Sequence, residues 1–497
     1  MLRRIQNIAR SVVLPAVVVL GISGMAQTSS GQCELIELLA SDGSPYDLFG
    51  NSVSISGGVG IIGARSDDAN GYNSGSAYIF VQDGLSWIEQ AKLLASDGET
   101  YNYFGGSVDI SGDFVIVGAH WNDEIGFKAG AAYVFHSAGD TTGWIEQAKL
   151  LASDGAGQDE FGVSVAVSGD VAVVGAYLHD HGWNGSNVGA VYVFRLADGG
   201  RSWLQEAEIL ASDSTVGDRF GEAVGIAGDL ILVGARRSDP NGSNSGSAYI
   251  YRYDPDGSVR WIEEAKLVPL DNAAGDFFGG SVAIDADMVV VGATGDDDNG
   301  SNAGAAYVYR YNAGAAQWIE EAKLLASDGE SYDNFGQVAI EGSVVVVGAP
   351  GHDFPAMGAG VAYVYTYDPA AASWDEQGML VASDNAQYDG FGGAVAIDGG
   401  LAFAGATSHD DLGSSSGSVY VFDALAVTDV NNNGIPDACE PPLGDLNSDG
   451  VVNSADLLIL LAFWGPCPPP PLECLGDLNA DEVVGVADLL ILLANWS

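Results

Sequence analysis

Apolar residues in this chain come in short runs, many with every second position polar, separated by turns rich in Gly, Asp and Asn. A period of two predicts strands rather than helices, and turn signals at such close spacing predict an all-β fold. The runs repeat. Phe-Gly recurs at Phe49, Phe104, Phe161, Phe220, Phe278, Phe335 and Phe391, with spacings of 55, 57, 59, 58, 57 and 56. Gly-Ala follows 14 residues after each Phe (13 in the sixth unit), beginning at Gly63, Gly118, Gly175, Gly234, Gly292, Gly348 and Gly405. A polar loop then leads to Gly-x-x-Tyr, ending at Tyr78, Tyr133, Tyr192, Tyr249, Tyr307, Tyr363 and Tyr420. Six units continue into a run led by Trp87, Trp144, Trp203, Trp261, Trp318 or Trp374.

Each unit therefore predicts four strands; in the second they fall near 107–110, 114–119, 131–135 and 144–151. One such unit cannot bury both faces, but seven packed radially can, and a closed ring leaves no long open edge. The seventh unit lacks a Trp-led run, while residues 34–42 supply a spare strand of that type ahead of the first unit. The N-terminal strand is expected to lie beside 417–422 and complete the last blade.

These motifs resemble the FG-GAP repeats of integrin α-subunits, over about residues 33–423. The resemblance implies a seven-bladed β-propeller of four-stranded blades. It also implies ligand engagement on the face that carries the loops between strands 2 and 3 and between strand 4 and the next strand 1. Two features depart from the family. Only the sixth unit has a Pro (Pro350) after Gly-Ala, and the 1–2 connections, such as Ser111-Gly112-Asp113, lack the Asp-rich calcium loop of integrin-type blades.

Charge narrows the partners. With 17 Lys+Arg against 67 Asp+Glu the net charge is −50, which argues against nucleic acid or an anionic membrane as partner. Arg3, Arg4 and Arg10, the apolar stretch 12–22 and Gly24-Met25-Ala26 read as an export signal over 1–26, and no other segment reads as transmembrane. A secreted or cell-surface location follows, where disulfides are permitted. The cysteines are Cys33, Cys439, Cys467 and Cys474. Cys467 and Cys474 flank a Pro-rich connector and are the favoured pair; Cys33 with Cys439 would then staple the two ends of the ring.

Acidic residues concentrate in the loops of one face. Asp68, Asp123, Asp180, Asp239, Asp297, Asp353 and Asp410 each lie four residues after the Ala of Gly-Ala. Asp42, Asp97, Asp154, Asp213, Asp271, Asp328 and Asp384 follow the fourth strand. Two residues before Phe-Gly stand Asp47, Asn102, Asp159, Asp218, Asp276, Asp333 and Asp389. Repeated Asp caps turns by accepting backbone N–H bonds; an acidic face that attracts a basic or metal-bridged ligand is the other reading. Neighbour pairs at His179-Asp180, His352-Asp353 and His409-Asp410 occur in separate blades with no nucleophile motif, so no catalytic residue is assigned and an enzyme is not expected. The tryptophans, recurring at one strand position, read as core or inter-blade packing rather than a sugar platform.

The tail changes character. Asp429, Asn431, Asn433 and Asp437 around Gly434 resemble a thrombospondin type 3 calcium motif, in a linker over 425–443. Asp445, Asn447, Asp449, Asn453 and Asp456, with the Val451 carbonyl and a turn at Gly450, have the spacing of an EF-hand loop. A second segment offers Asp477, Asn479, Asp481 and Asp488, with Glu482 in place of the turn Gly. Each loop precedes an apolar helical run. Paired half-EF-hands of this kind resemble type I dockerins over 444–497, which implies calcium as cofactor and a cohesin-like docking partner. The sequence thus points to a secreted adhesion module for an extracellular protein or polysaccharide, the ring spanning 27–424. A dockerin-tethered carbohydrate-active enzyme and a structural envelope or matrix component are the rivals.

Overall fold

In the second unit the alternation produces strands Ser107–Ser111, Phe114–Ala119, Ala131–Ser137 and Trp144–Leu150. Consecutive strands pair antiparallel, with Gly118 opposite both Ser107 and Ala132, and Tyr133 opposite Lys149. The same pattern gives seven four-stranded sheets in the computed structural model, which describes residues 33–84, 86–137, 143–181, 186–425, 454–462, 465–466, 483–484 and 486–494.

The seventh sheet takes its outer strand from the N-terminus, as the spare run predicts. Cys33–Leu38 pairs antiparallel with Ser418–Asp423, setting Glu37 opposite Tyr420 and Leu38 opposite Val419. Blades are numbered here by their Phe-Gly, so this strand belongs to blade 7.

The cores lie between blades rather than within them. Ile61 and Ile79 of blade 1 pack with Val115, Val117, Tyr133 and Phe135 of blade 2 in one buried cluster. A blade removed from the ring would expose both faces, at about 1.5–3 kcal/mol for each large side chain. Glycines allow the seam to close. Gly130 sits at φ +89° beside Phe161 of the next blade, and a Cβ there would lie 2.0 Å from the Phe161 carbonyl oxygen. A Cβ on Gly118 would meet the Gly162 carbonyl oxygen at 2.0 Å. Phe-Gly of one blade thus packs against Gly-Ala and Gly-x-x-Tyr of the blade before it.

First strands line the axis. Ser54, Asp109, Ala166, Gly225, Ala283, Ala339 and Ala396 face a channel with a cavity of about 250 Å³. Indole N–H groups staple the outer strands: Trp203 donates to Gln147 Oε1 at 2.9 Å and Trp318 to Glu264 Oε1 at 2.7 Å, each one blade back.

In the tail, helices Ser454–Ala462 and Val486–Ala494 bury Leu460 and Leu492 against Val484. Asp456 and Asp488 fall in the first turn of these helices. The other proposed calcium ligands (Asp429, Asn431, Asn433, Asp437, Asp445, Asn447, Asp449, Val451, Asn453, Asp477, Asn479 and Asp481) lie outside the described residues, as do Cys439, Cys467, Cys474 and the export segment. No helix among the described residues is long and apolar enough to cross a membrane.

Candidate binding face

Three repeated acidic positions build the loop face, and each has a distinct structural task. The exposed Asp after Gly-Ala closes its own 2–3 loop. Asp68 Oδ1 accepts from the Asn73 N–H, Asp239 from Asn244 and Asp297 from Asn302, all at 2.7 Å. Asp123, Asp180, Asp353 and Asp410 accept in the same way from Lys128, Asn187, Gly358 and Ser415. One carboxylate oxygen is thereby engaged, on a side chain that remains exposed. The buried acid before Phe-Gly closes the other loop: Asp47, Asp159 and Asp389 accept from Ser44, Ala156 and Ala386 at 2.7–2.8 Å.

The third position meets the repeated tyrosine. Tyr78, Tyr133, Tyr192, Tyr249, Tyr307, Tyr363 and Tyr420 donate their hydroxyls to Asp42, Asp97, Asp154, Asp213, Asp271, Asp328 and Asp384, at 2.7–3.0 Å. Burial, together with these carboxylates, raises every one of the seven phenols above its usual value. A lysine on the fourth strand neutralises several of the clasps. Lys92 Nζ lies 2.8 Å from Asp42 and 2.7 Å from Asp67. Burial pushes the Asp42 carboxyl up, but hydrogen bonds from Lys92 and Tyr78 outweigh it and hold it below its ordinary value.

The histidines do not pair with their sequence neighbours. His179 Nδ1 lies 3.1 Å from Asp159 Oδ2 and His409 Nδ1 2.9 Å from Asp389 Oδ2. His352 Nδ1 accepts from the Phe354 N–H. The Tyr192 hydroxyl lies 3.4 Å from His179 Nδ1, and the three histidines sit in blades 3, 7 and 6.

An aromatic arc on this face was not read from the sequence. Tyr46, Tyr101, Tyr332 and Tyr388 stand three residues before Phe-Gly, are 48–65% exposed, and have φ between 66° and 74°. A side chain in that region costs about 1 kcal/mol or more. The same position is Gly217 and Gly275 in blades 4 and 5, where no such cost arises. The tyrosines belong to blades 1, 2, 6 and 7, which are consecutive around the ring. Exposed Tyr72, Phe127, Phe354 and Met357 occupy the 2–3 loops of blades 1, 2 and 6. Tyr72 and Tyr101 meet edge to face at 5.4 Å, and the Tyr388 hydroxyl lies 3.0 Å from Met357 Sδ. Tyr103 and Trp121 extend the cluster inward at 4.7 Å. The signal was available: a residue type repeated at one position in four units and replaced by Gly in two others.

Nor is the face uniformly acidic. Blade 4 places Arg236 and Arg237 beside Phe277 and Asn302 around a cavity of about 190 Å³. Blade 4 thus adds a basic patch to the face, while the exposed tyrosines lie on blades 6, 7, 1 and 2.

The FG-GAP repeat family matches residues 34–80, 87–135, 144–194, 203–251, 261–309, 318–365 and 374–422. Among solved structures, the chain resembles Saccharomyces cerevisiae Sqt1 at 11% identity and a TM-score of 0.43, over 80% of this chain and 87% of that one. A search of curated proteins finds no match. Seven matched repeats, each spanning the outer strand of one blade and the first three strands of the next, make this chain a member of the FG-GAP repeat family.

Proposed function

We propose that the protein is an exported binding module that holds an extracellular protein or polysaccharide on the aromatic arc of its loop face. The observation that carries this reading is the set of four exposed tyrosines in left-handed backbone on consecutive blades. The left-handed backbone is a feature of the repeat, shared by Gln158 in blade 3; the exposed aromatic area is confined to four consecutive blades, is unfavourable for an isolated ring, and marks where a ligand would repay it. Tyrosine presents a broad, stiff, amphipathic surface at low entropic cost, and exposed aspartates between the rings supply hydrogen-bond acceptors. Export rests on the signal-like segment 1–26. Docking through the calcium-binding tail rests on the two dockerin-like segments and their apolar helices.

The mature chain, probed on glycan and extracellular-protein arrays beside a Tyr46/Tyr101/Tyr332/Tyr388→Ser variant, tests this. At least one ligand should be retained by the wild type and lost at least tenfold by the variant. Equal retention by both chains would sink the proposal.

A further inference from the structure

The clasp beneath each repeated tyrosine carries its own cation in blades 1, 2, 4 and 5. Lys92, Lys149, Lys266 and Lys323, each opposite the tyrosine of its blade, put an ammonium between the acids. In blade 5, Lys323 Nζ lies 2.9 Å from Asp271 and 2.8 Å from Asp296, with Asp298 also in reach. Blade 7 inverts this arrangement. Glu37 stands where the lysine stands elsewhere, opposite Tyr420, and His409 replaces the acid of the 2–3 loop. Asp384 and Asp411 keep the places of Asp271 and Asp298.

Four ligand atoms now converge with no ammonium among them. His409 Nε2 lies 3.2 Å from Asp411 Oδ1, 3.6 Å from Asp384 Oδ2 and 3.8 Å from Glu37 Oε1. His409 is only 5% exposed, and its Nε2 has no hydrogen-bond partner. The other ring nitrogen fixes the tautomer. Asp389 Oδ2 already accepts the Ala386 N–H, and a carboxylate can only accept, so His409 Nδ1 must donate to it. In the neutral ring Nε2 is then a lone pair aimed at three carboxylates. That grouping needs a positive charge at its centre. An imidazole oriented by a carboxylate on its far nitrogen is the arrangement that presents histidine to a metal.

We propose that Glu37, Asp384, His409 and Asp411 form a binding site for a divalent transition-metal ion of the Zn²⁺ or Mn²⁺ class. The imidazole selects for such ions over Ca²⁺, and the three carboxylates supply charge. Asp389 is a positioning residue. Because Glu37 lies on the N-terminal strand, the ion joins that strand to the loops of blade 7 and secures the closure of the ring. Blade 3 carries a looser variant, with His179, His181 and Glu208 grouped, and His179 Nε2 3.8 Å from Glu208.

The test uses the full chain, stripped with chelator and titrated calorimetrically with Zn²⁺ and separately with Mn²⁺ in excess Ca²⁺, with bound metal counted by elemental analysis. Glu37→Lys restores the internal ammonium of the other blades and should fold; it should bind one ion fewer than the wild type. The metal-induced rise in melting temperature should shrink in that variant. Asp389→Asn should weaken the same site by about 10–100-fold. Equal stoichiometry in wild type and Glu37→Lys would overturn the site and leave His409 simply protonated among its acids. Displacement of the ion by Ca²⁺ would overturn the choice of metal.

Discussion

A buried phenol needs an acceptor, and a carboxylate beside an apolar core needs donors. The Tyr–Asp clasp satisfies both at once. The single O–H of Tyr307 lies between two carboxylates, Asp271 at 3.0 Å and Asp296 at 2.9 Å, and makes one charge-assisted hydrogen bond shared between them. Tyr307→Phe should therefore cost about 1.5–3 kcal/mol, read as a lower urea midpoint with unchanged m-value; a loss within error would assign the stability to packing alone. Among the described residues lining the axial channel, Asp109 is the one acid, held by the Ser54 hydroxyl and the Val167 N–H at 2.7 Å each. Burial raises its carboxyl to about 6, against those two hydrogen bonds. A carboxyl raised in the folded state binds its proton more tightly there than when unfolded. Its linkage term thus favours folding at acid pH and declines as pH rises from about 4 to 6. Asp47 and Asp276 share that sign and range, both reaching about 6 with burial the main cause. The wild type minus Asp109→Asn difference in unfolding free energy isolates the channel acid. That difference should fall from pH 4 to pH 6.5, and a flat difference would refute the assignment.

At the scale of elements, the closing strand is held by more than its ladder. Ser383 N–H and hydroxyl donate to Glu34 at 2.7 and 3.1 Å, and Ser41 N–H and hydroxyl donate to Glu89 at 2.8 Å each. The same Ser–Glu clasp joins Ser96 to Glu146 and Ser327 to Glu376 at internal seams. The N-terminal strand thus behaves as an ordinary outer strand at both of its seams. Deleting residues 34–41 leaves the strand Ser418–Asp423 with an unpaired edge. Light scattering should then show concentration-dependent association and melting should occur earlier, whereas an unchanged monomer would refute closure by this strand. Much of this was legible beforehand. Repeats in register report packing that every blade shares, so four strands per unit, the closing strand and the inter-blade tryptophans could be read from position alone. The tyrosine repeated in four units was also legible, but its exposure on consecutive blades was not, and the blade 7 cluster could not be read because it departs from the repeat. Glu37 and His409 are 372 positions apart until the ring brings them together.

For the whole molecule, the ring provides the frame, and the sequence of the tail carries the proposal of calcium binding. The two dockerin-like loops should be unequal. Glu482 in place of a turn glycine costs about 1 kcal/mol or more if φ is positive there, and Gly485 leaves the ninth position without a side chain. Asp449→Ala should remove the tighter calcium event in calorimetry while Asp481→Ala changes little; two equal events would contradict this. The central claim concerns the face of the ring. Hydrogen exchange on the mature chain, with and without a ligand retained by the arrays, tests it most directly. The account predicts protection concentrated in the loops around 42–48, 97–103, 328–334 and 384–390, with blades 3 to 5 little changed. Protection confined to the opposite face, the axial channel or the loops of blades 3 to 5 would contradict it.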